Sequence, residues 1–252
     1  MIGQNKGFST EEFIKSKINE LKFSEIEINL QSVLKTINPD IAENEIFKAE
    51  KKEGKGLGKK TDLFVFKSGE RFTNLSIKSG SGNSVHQENV YEFVKFLEKL
   101  GAKEEMIIDF LFVHWGDGTH DGTGKIEDRK DAPTLKKEFP KKIVGVQQLF
   151  KHFKEEIITR ALLGNLDGTE PDNLIYISKK DLKTIAHSDM SKIIKFHMEV
   201  ISMHADLKIG NLNYQNWNRC LGGQERTTKK HRNDIQFKWP NINRDLHKIN
   251  DK

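Results

Sequence analysis

An acid, a hydroxyl and a lysine, Asp62, Ser76 and Lys78, fall at the open end of a segment that reads as a β-hairpin. Thr61 to Phe66 forms one strand, Lys67-Ser68-Gly69-Glu70-Arg71 the turn, and Phe72 to Lys78 the return. Opposed residues of an antiparallel pair share a constant index sum. A turn centred on Gly69 or Glu70 makes that sum about 138 to 140, which sets Asp62 opposite Ser76 to Lys78. Side chains alternate along a strand, so Ser76 and Lys78 take one face and Leu75 and Ile77 the other, against the core. Phosphodiester hydrolysis uses these residue types: a carboxylate to hold a divalent cation, a second oxygen ligand, and a lysine to orient water and offset developing charge. The same three residues also fit an edge hairpin with a charged rim and no chemistry.

The elements that must position this hairpin alternate between helix and strand. Ser9 with Glu12 reads as a capping box for a helix carrying Phe13, Ile14, Ile18 and Leu21 on one face. Leu30, Val33, Leu34 and Ile37 make a second helical face, closed by Pro39, and a glycine- and lysine-rich loop from Glu50 to Lys60 leads into the hairpin. Residues 87 to 100 repeat apolar positions at helical spacing until Gly101. Ile107 to Val113 reads as a buried strand, Gly116 to Lys142 as a long loop, and Val144 to Leu163 as a helix. Asn173 to Ser178 reads as a strand, and Ser188 caps a short helix through Phe196. A strand-like segment from about Asp206 to Leu221, a basic loop Gly222 to Asn233 and a strand Asp234 to Trp239 complete the pattern. The fold class is therefore α/β. No repeat and no linker divides the 252 residues, so a single domain is expected.

Composition narrows the classes. The longest apolar stretch, Met106 to Trp115, is interrupted by Asp109 and His114 and is far short of the roughly 20 residues that span a bilayer. One cysteine, Cys220, and an opening Met1-Ile2-Gly3-Gln4-Asn5-Lys6 without a charged-then-apolar leader lead to the expectation of a reducing cytoplasm. The net charge of +5 is concentrated: from Arg219 to Lys252 nine Lys/Arg stand against four acids. Such a patch suits a polyanion, and equally a solvated basic tail.

Two sets of motifs, in a shared order, resemble small type II restriction endonucleases of the PD-(D/E)xK superfamily, the MspI-like group. The first is Lys60-Thr61-Asp62 with Asn74-Leu75-Ser76-Ile77-Lys78, Ser76 taking the place where that group carries Asn or Gln. The second comprises Gly210-Asn211-Leu212-Asn213-Tyr214, Gly222-Gly223, the basic run Arg226 to Arg232, and Ile235-Gln236-Phe237-Lys238. Gly7-Phe8 with Glu11, and Gln87, are weaker matches, and the whole runs with gaps from about residue 7 to 239. The resemblance implies a central mixed β-sheet flanked by helices, and a Mg²⁺-dependent enzyme that makes double-strand cuts at a short palindromic DNA site. It implies that Asp62 and the Ile77 carbonyl bind Mg²⁺ and that Lys78 positions the attacking water. Ser76 is a weaker, neutral ligand, so the site would hold one ion or borrow a carboxylate such as Glu11. A companion methyltransferase protecting host DNA is implied as well, with a monomer or a two-fold homodimer on the palindrome.

For DNA contacts, Asn83, Ser84 and Gln87 follow the lysine in a glycine-rich stretch that could also be a plain linker. Arg226, Lys229, Lys230 and Arg232 suit phosphates. Asn216, Asn218, Arg219, Gln236 and Lys238 suit the grooves, which makes residues 206–239 the expected DNA-contacting region. His114 to Gly124 gathers two His and two Asp among glycines, readable as a metal loop or as surface turns, although neither zinc nor EF-hand spacing is met. Cys220 reads as packing. Two further classes stay open: a non-catalytic DNA-binding protein, and a repair or structure-specific nuclease of the same superfamily.

Overall fold

The computed structural model describes residues 8–51, 60–80, 84–178, 182–201, 207–216 and 232–251. Contacts divide the chain into two compact units: Met1–Asn83 with Leu162–Phe196 and Pro240–Lys252, and Ser84–Ala161 with His197–Trp239.

The first unit is built on a six-stranded mixed sheet. Its strands are β1 (Leu21–Lys22), β2 (Ile46–Lys51), β3 (Leu63–Lys67), β4 (Glu70–Ser79), β6 (Asn173–Ile177) and β7 (Ile185–Asp189), hydrogen-bonded in that order. Only β4 and β6 pair in parallel. Period two sorts the side chains. Phe47, Ala49, Leu63, Val65, Leu75, Ile77, Ile175 and Ile177 form one face, buried with Ile14 and Ile18 and with Leu30, Val33 and Leu34. The latter two groups belong to the α1 region (Phe8–Ser16) and to α2 (Ile28–Ile37), so these helices cover that face. Ser76, Asn74, Leu174 and Tyr176 occupy the other face of the two central strands and are also buried, as expected where a parallel pair is covered on both sides.

The second unit carries an antiparallel sheet whose order is β5 (Ser84–Asn89), β10 (Asp234–Lys238), β9 (Leu212–Gln215), β8 (Lys208–Ile209). One face packs an aromatic core in which Phe237 touches Phe93, Phe150 and Tyr214. Helices α3 (Val90–Lys99), α4 (Glu104–Trp115), α5 (Ala132–Glu138) and α6 (Pro140–His152) belong to this unit. Two helices cross the unit boundaries, α7 (Lys154–Leu163) and α8 (Met190–Glu199), and α9 (Ile242–Asn250) returns to the first unit.

Several expectations are corrected. The run Ile107 to Val113 is helical, inside α4, because a short apolar run has no period that separates a buried strand from a buried helix. Glu104 and Glu105 favour its N-terminus, and Gly116, at φ 61°, stops it. The helix expected from Val144 to Leu163 starts earlier and breaks at Phe153 into α6 and α7. Residues 116 to 142 are not one loop, since Asp131 caps α5 by accepting from the Thr134 N–H at 2.8 Å. The cap of α8 is Asp189, whose Oδ1 accepts from the Ser191 and Lys192 N–H groups at 2.8 and 3.2 Å, while Ser188 lies in β7. Strands β1 and β2 and helix α9 are additions to the sequence reading, although Ile242, Leu246 and Ile249 of α9 recur at helical spacing and are buried. Among the described residues, no helix is long and apolar enough to cross a membrane.

Candidate active site

The hairpin β3–β4 turns more tightly than five residues. Ser68 and Gly69 both take positive φ, 50° and 90°, the two-residue turn whose twist suits paired strands. From Leu63 opposite Leu75 the index sum is 138, so Asp62 faces Ser76 just beyond the last ladder pair. The Asp62 N–H donates to the Leu75 carbonyl at 2.8 Å and continues the ladder.

The expected group does converge. Asp62 Oδ2 accepts the Ile77 N–H at 2.6 Å, and the Ser76 hydroxyl reaches the same oxygen at 3.4 Å. The Lys78 ammonium lies 3.9 Å from it, with both side chains about one-fifth exposed. A strand residue's N–H and C=O leave on the same edge, so the Ile77 carbonyl is directed to the side on which Asp62 lies. One carboxylate, one hydroxyl and one carbonyl make an all-oxygen donor set, which fits a hard divalent ion that keeps most of its waters.

Residues that sequence reading missed hold this corner. The Thr61 hydroxyl donates to the Thr169 carbonyl at 2.5 Å, and Asn74 Nδ2 donates to the Glu170 carbonyl at 2.8 Å. The Asn74 N–H donates to Asp172 Oδ2 at 2.8 Å, and the Asp172 N–H returns to the Asn74 carbonyl at 2.9 Å. The loop before β6 thus clamps the residue preceding Asp62 and the strand that carries Ser76 and Lys78. Tyr176, paired with Lys78 across β4–β6, donates its hydroxyl to the Gly80 carbonyl at 3.2 Å and fastens the exit of the strand. These partners are distant in sequence, so nothing local announces them.

Glu11 stands on α1 beside the end of β4, where the hydroxyl of its neighbour Thr10 lies 3.2 Å from that of Ser79. Its carboxylate pairs with Lys51 at 2.6 Å, and Lys51 faces Leu63 across β2–β3, on the helix-covered side of the sheet. Among the described residues, no three His, Cys, Asp or Glu side chains gather as metal ligands.

In the second unit the polar face of the sheet is ordered in two rows. Gln87, Gln236 and Gln215 oppose one another across β5, β10 and β9. Ser84, Lys238, Asn213 and Lys208 form the next row. Gln236 Nε2 donates to the Ser84 hydroxyl at 2.8 Å, and Gln87 Nε2 to Asp234 Oδ2 at 3.1 Å. Gln215 and Asn213 join the expected Ser84, Gln87, Gln236 and Lys238; the alternation in Leu212 to Gln215 was their only signal.

Behind that face Glu88 is buried. Burial alone would raise its pKa, but His86 at 2.6 Å and a bidentate Arg160 at 2.9 and 2.6 Å outweigh it and hold the carboxyl below its usual range.

Two of the expected DNA contacts make hydrogen bonds within the fold. Asn216 is buried and donates to the Val113 carbonyl at 2.8 Å, satisfying an end group of α4. Arg232 Nη2 donates to Asp117 Oδ2 at 2.8 Å and to the Gly124 carbonyl at 3.0 Å, and so closes the 116–124 loop. Its own carbonyl accepts from His114 Nε2 at 2.9 Å, which leaves Nδ1 to accept the Tyr214 hydroxyl at 3.0 Å. Asp117 and Asp121 each accept the N–H and hydroxyl of the threonine two residues on. The loop's carboxylates and its buried histidine are thus spent on turns and packing. Asn83, Asn218, Arg219, Arg226, Lys229, Lys230 and Cys220 lie outside the described residues.

No protein-family model matches the chain, and no curated protein is found to be similar to it.

Proposed function

We propose that the chain is a Mg²⁺-dependent endonuclease of the restriction type, cutting both strands of duplex DNA at a short palindromic site. The observation that carries this reading is the convergence of Asp62, Ser76, Ile77 and Lys78 at one corner, within 3.9 Å of a single carboxylate oxygen. Asp62 and the Ile77 carbonyl would hold the ion, with the Ser76 hydroxyl beside them. When bound, Mg²⁺ neutralises phosphate charge and lowers the pKa of a water. Lys78 hydrogen-bonds the attacking water, keeps it in line with phosphorus and offsets the charge that builds on the phosphate oxygens. The new bond is water oxygen to phosphorus, the bond that breaks is phosphorus to the sugar oxygen, the attacking water gives up a proton to solvent, and a proton from solvent completes the leaving hydroxyl. The amide rows Gln87–Gln236–Gln215 and Ser84–Lys238–Asn213 have the donors and acceptors to read base edges in a groove. Partner and setting follow from the resemblance: duplex DNA, a companion methyltransferase, and the cytoplasm.

The test is digestion of a long, unmethylated phage DNA with and without Mg²⁺, with sequencing of the fragment ends. Discrete fragments that require Mg²⁺ bear the reading out. A smear independent of sequence would point to a repair or structure-specific nuclease. One observation favours a second reading, a DNA-binding protein that does not cut: among the described residues Asp62 is the one carboxylate in contact with Ser76, Ile77 or Lys78, and Glu11 is paired with Lys51. A mobility shift without cleavage in either Mg²⁺ or Mn²⁺ would establish that alternative.

A further inference from the structure

The β3–β4 hairpin carries a residue whose position no sequence pattern announces. Between the pairs Val65–Thr73 and Phe66–Arg71 the register slips by one, with Phe72 the extra residue on β4. Strict alternation would give Arg71 the face of Thr73 and Leu75, against the helices. The bulge turns it over, so that Arg71 pairs with Phe66 on the face of Asp62, Ser76 and Lys78. Phe72 meets the Phe47 ring edge-on at 5.4 Å, anchoring the bulge in the core.

On that face the Arg71 guanidinium is fixed from two sides. Its carbon lies 3.9 Å from the Phe64 ring centroid and 4.8 Å from that of Phe66. Its Nη1 donates at 2.7 Å to Oδ1 of the buried Asn74, the residue already clamped to the Glu170 carbonyl. Arg71 is exposed, and among the described residues no carboxylate lies within ion-pair distance of it; Glu50, opposite Phe64 on β2, is bonded to Lys48 at 2.7 Å, and its pKa is lowered mainly by Lys48 and to a smaller extent by the Arg71 charge. A planar cation that is stacked and hydrogen-bonded before any ligand arrives, with no second hydrogen bond to the described residues, is organised to take an oxyanion through its other N–H groups. Phe64 and Phe66 stand two and four residues from Asp62, about 7 and 13 Å along the strand at roughly 3.3 Å per residue. The charge therefore falls beside the reacting corner and not in it.

Building on the nuclease reading, we propose that Arg71 is a phosphate-binding residue that grips the backbone of duplex DNA next to the phosphate to be cut. Phe64, Phe66 and Asn74 position its guanidinium.

The test uses the full chain and a labelled DNA duplex of mixed sequence, titrated in chelator at salt concentrations from about 50 to about 200 mM. Each phosphate contact contributes about 0.9 to the slope of log K against log salt. Arg71→Met, which keeps the stem over the rings, is expected to make that slope shallower by about 0.9. Arg71→Gln, which keeps a donor for Asn74, is expected to do the same, and urea midpoints identify a variant that has lost its fold. Lys35→Met on α2, the helix on the other side of the sheet, is expected to keep the parent slope. A parent slope in both Arg71 variants, or an equal loss in Lys35→Met, overturns the assignment and leaves the nuclease reading intact. A parent chain that neither binds the duplex nor cuts with Mg²⁺ overturns that reading, and the assignment with it.

Discussion

Asp62 receives a backbone N–H, a hydroxyl and an ammonium at one oxygen, and each partner has a separable consequence. Removing the carboxylate (Asp62→Ala) takes away the anion on which an ion would settle. Removing the ammonium (Lys78→Ala) takes away the group that holds water. Each is expected to lower the rate of Mg²⁺-dependent plasmid nicking by roughly 10²-fold or more while mobility shifts persist, and nicking at the parent rate in either would show that the corner is not the site. Ser76 supports a sharper expectation. Its hydroxyl is neutral and buried, and sits 3.4 Å from Asp62 Oδ2. In Ser76→Asp a second carboxylate would face the first. Without metal the two anions repel, so the denaturation midpoint should fall; with metal they share one ion, so half-maximal nicking should need less Mg²⁺ than in the parent. A titration that shifts to higher Mg²⁺ would mean that no ion binds there.

Hairpin geometry explains what could and could not be read in advance. The index sum and period two suffice to place Asp62 opposite Ser76 and to put Lys78 on the same face, because both follow from the turn position alone. The bulge at Phe72 does not follow from it. It depends on the Phe72 ring finding Phe47, a residue 25 positions away on β2, and without it Arg71 would have been assigned to the core face. The loop before β6 is equally silent in sequence, yet Asn74 is held to it through Glu170 and Asp172. Asn74→Ala leaves the Glu170 carbonyl and one Arg71 N–H without this partner. At roughly 1 kcal/mol for each lost hydrogen bond, a loss of about 2 kcal/mol is expected in urea denaturation. An unchanged midpoint would show that the clamp is dispensable. Helix α4 is illegible in the sequence for a related reason. Ile107 to Val113 contains almost no polar residues, so no exposed face marks the period, and only packing decided between helix and strand.

At the scale of the whole chain the boundaries between the units are marked unevenly in the sequence: 83/84 falls in the glycine-rich stretch 79–84 and 239/240 at Pro240. Two boundaries between the units, at residues 161/162 and 196/197, fall inside or near the end of helices α7 and α8, where no glycine- or proline-rich stretch marks a change. Helix α8 passes into the second unit at His197, which meets Trp239 at 4.5 Å between ring centroids and accepts the Asn211 N–H on Nδ1 at 3.2 Å. A Cβ on Gly210 would come within 2.6 Å of the His197 carbonyl oxygen, so the chain can pass this backbone only as glycine. Burial, with a smaller contribution from the Lys154 charge, pushes the His197 imidazole down to about 3. An unfolded histidine titrates near 6.5, so between about 3 and 6.5 the unfolded chain binds a proton that the folded chain refuses. Stability from this residue is therefore complete above about 6.5 and is lost as pH falls toward 3, with a limiting slope of about 1.4 kcal/mol per pH unit. His187, also lowered by burial, acts in the same direction. His197→Asn keeps an acceptor for the Asn211 N–H and removes the titration. Urea denaturation of the parent and of this variant between pH 7 and pH 5 separates the two contributions. The variant is expected to be less stable at pH 7, where the ring's packing is lost, and to show a shallower decline toward pH 5. Parallel declines would mean that the acid sensitivity of the fold resides elsewhere than in His197.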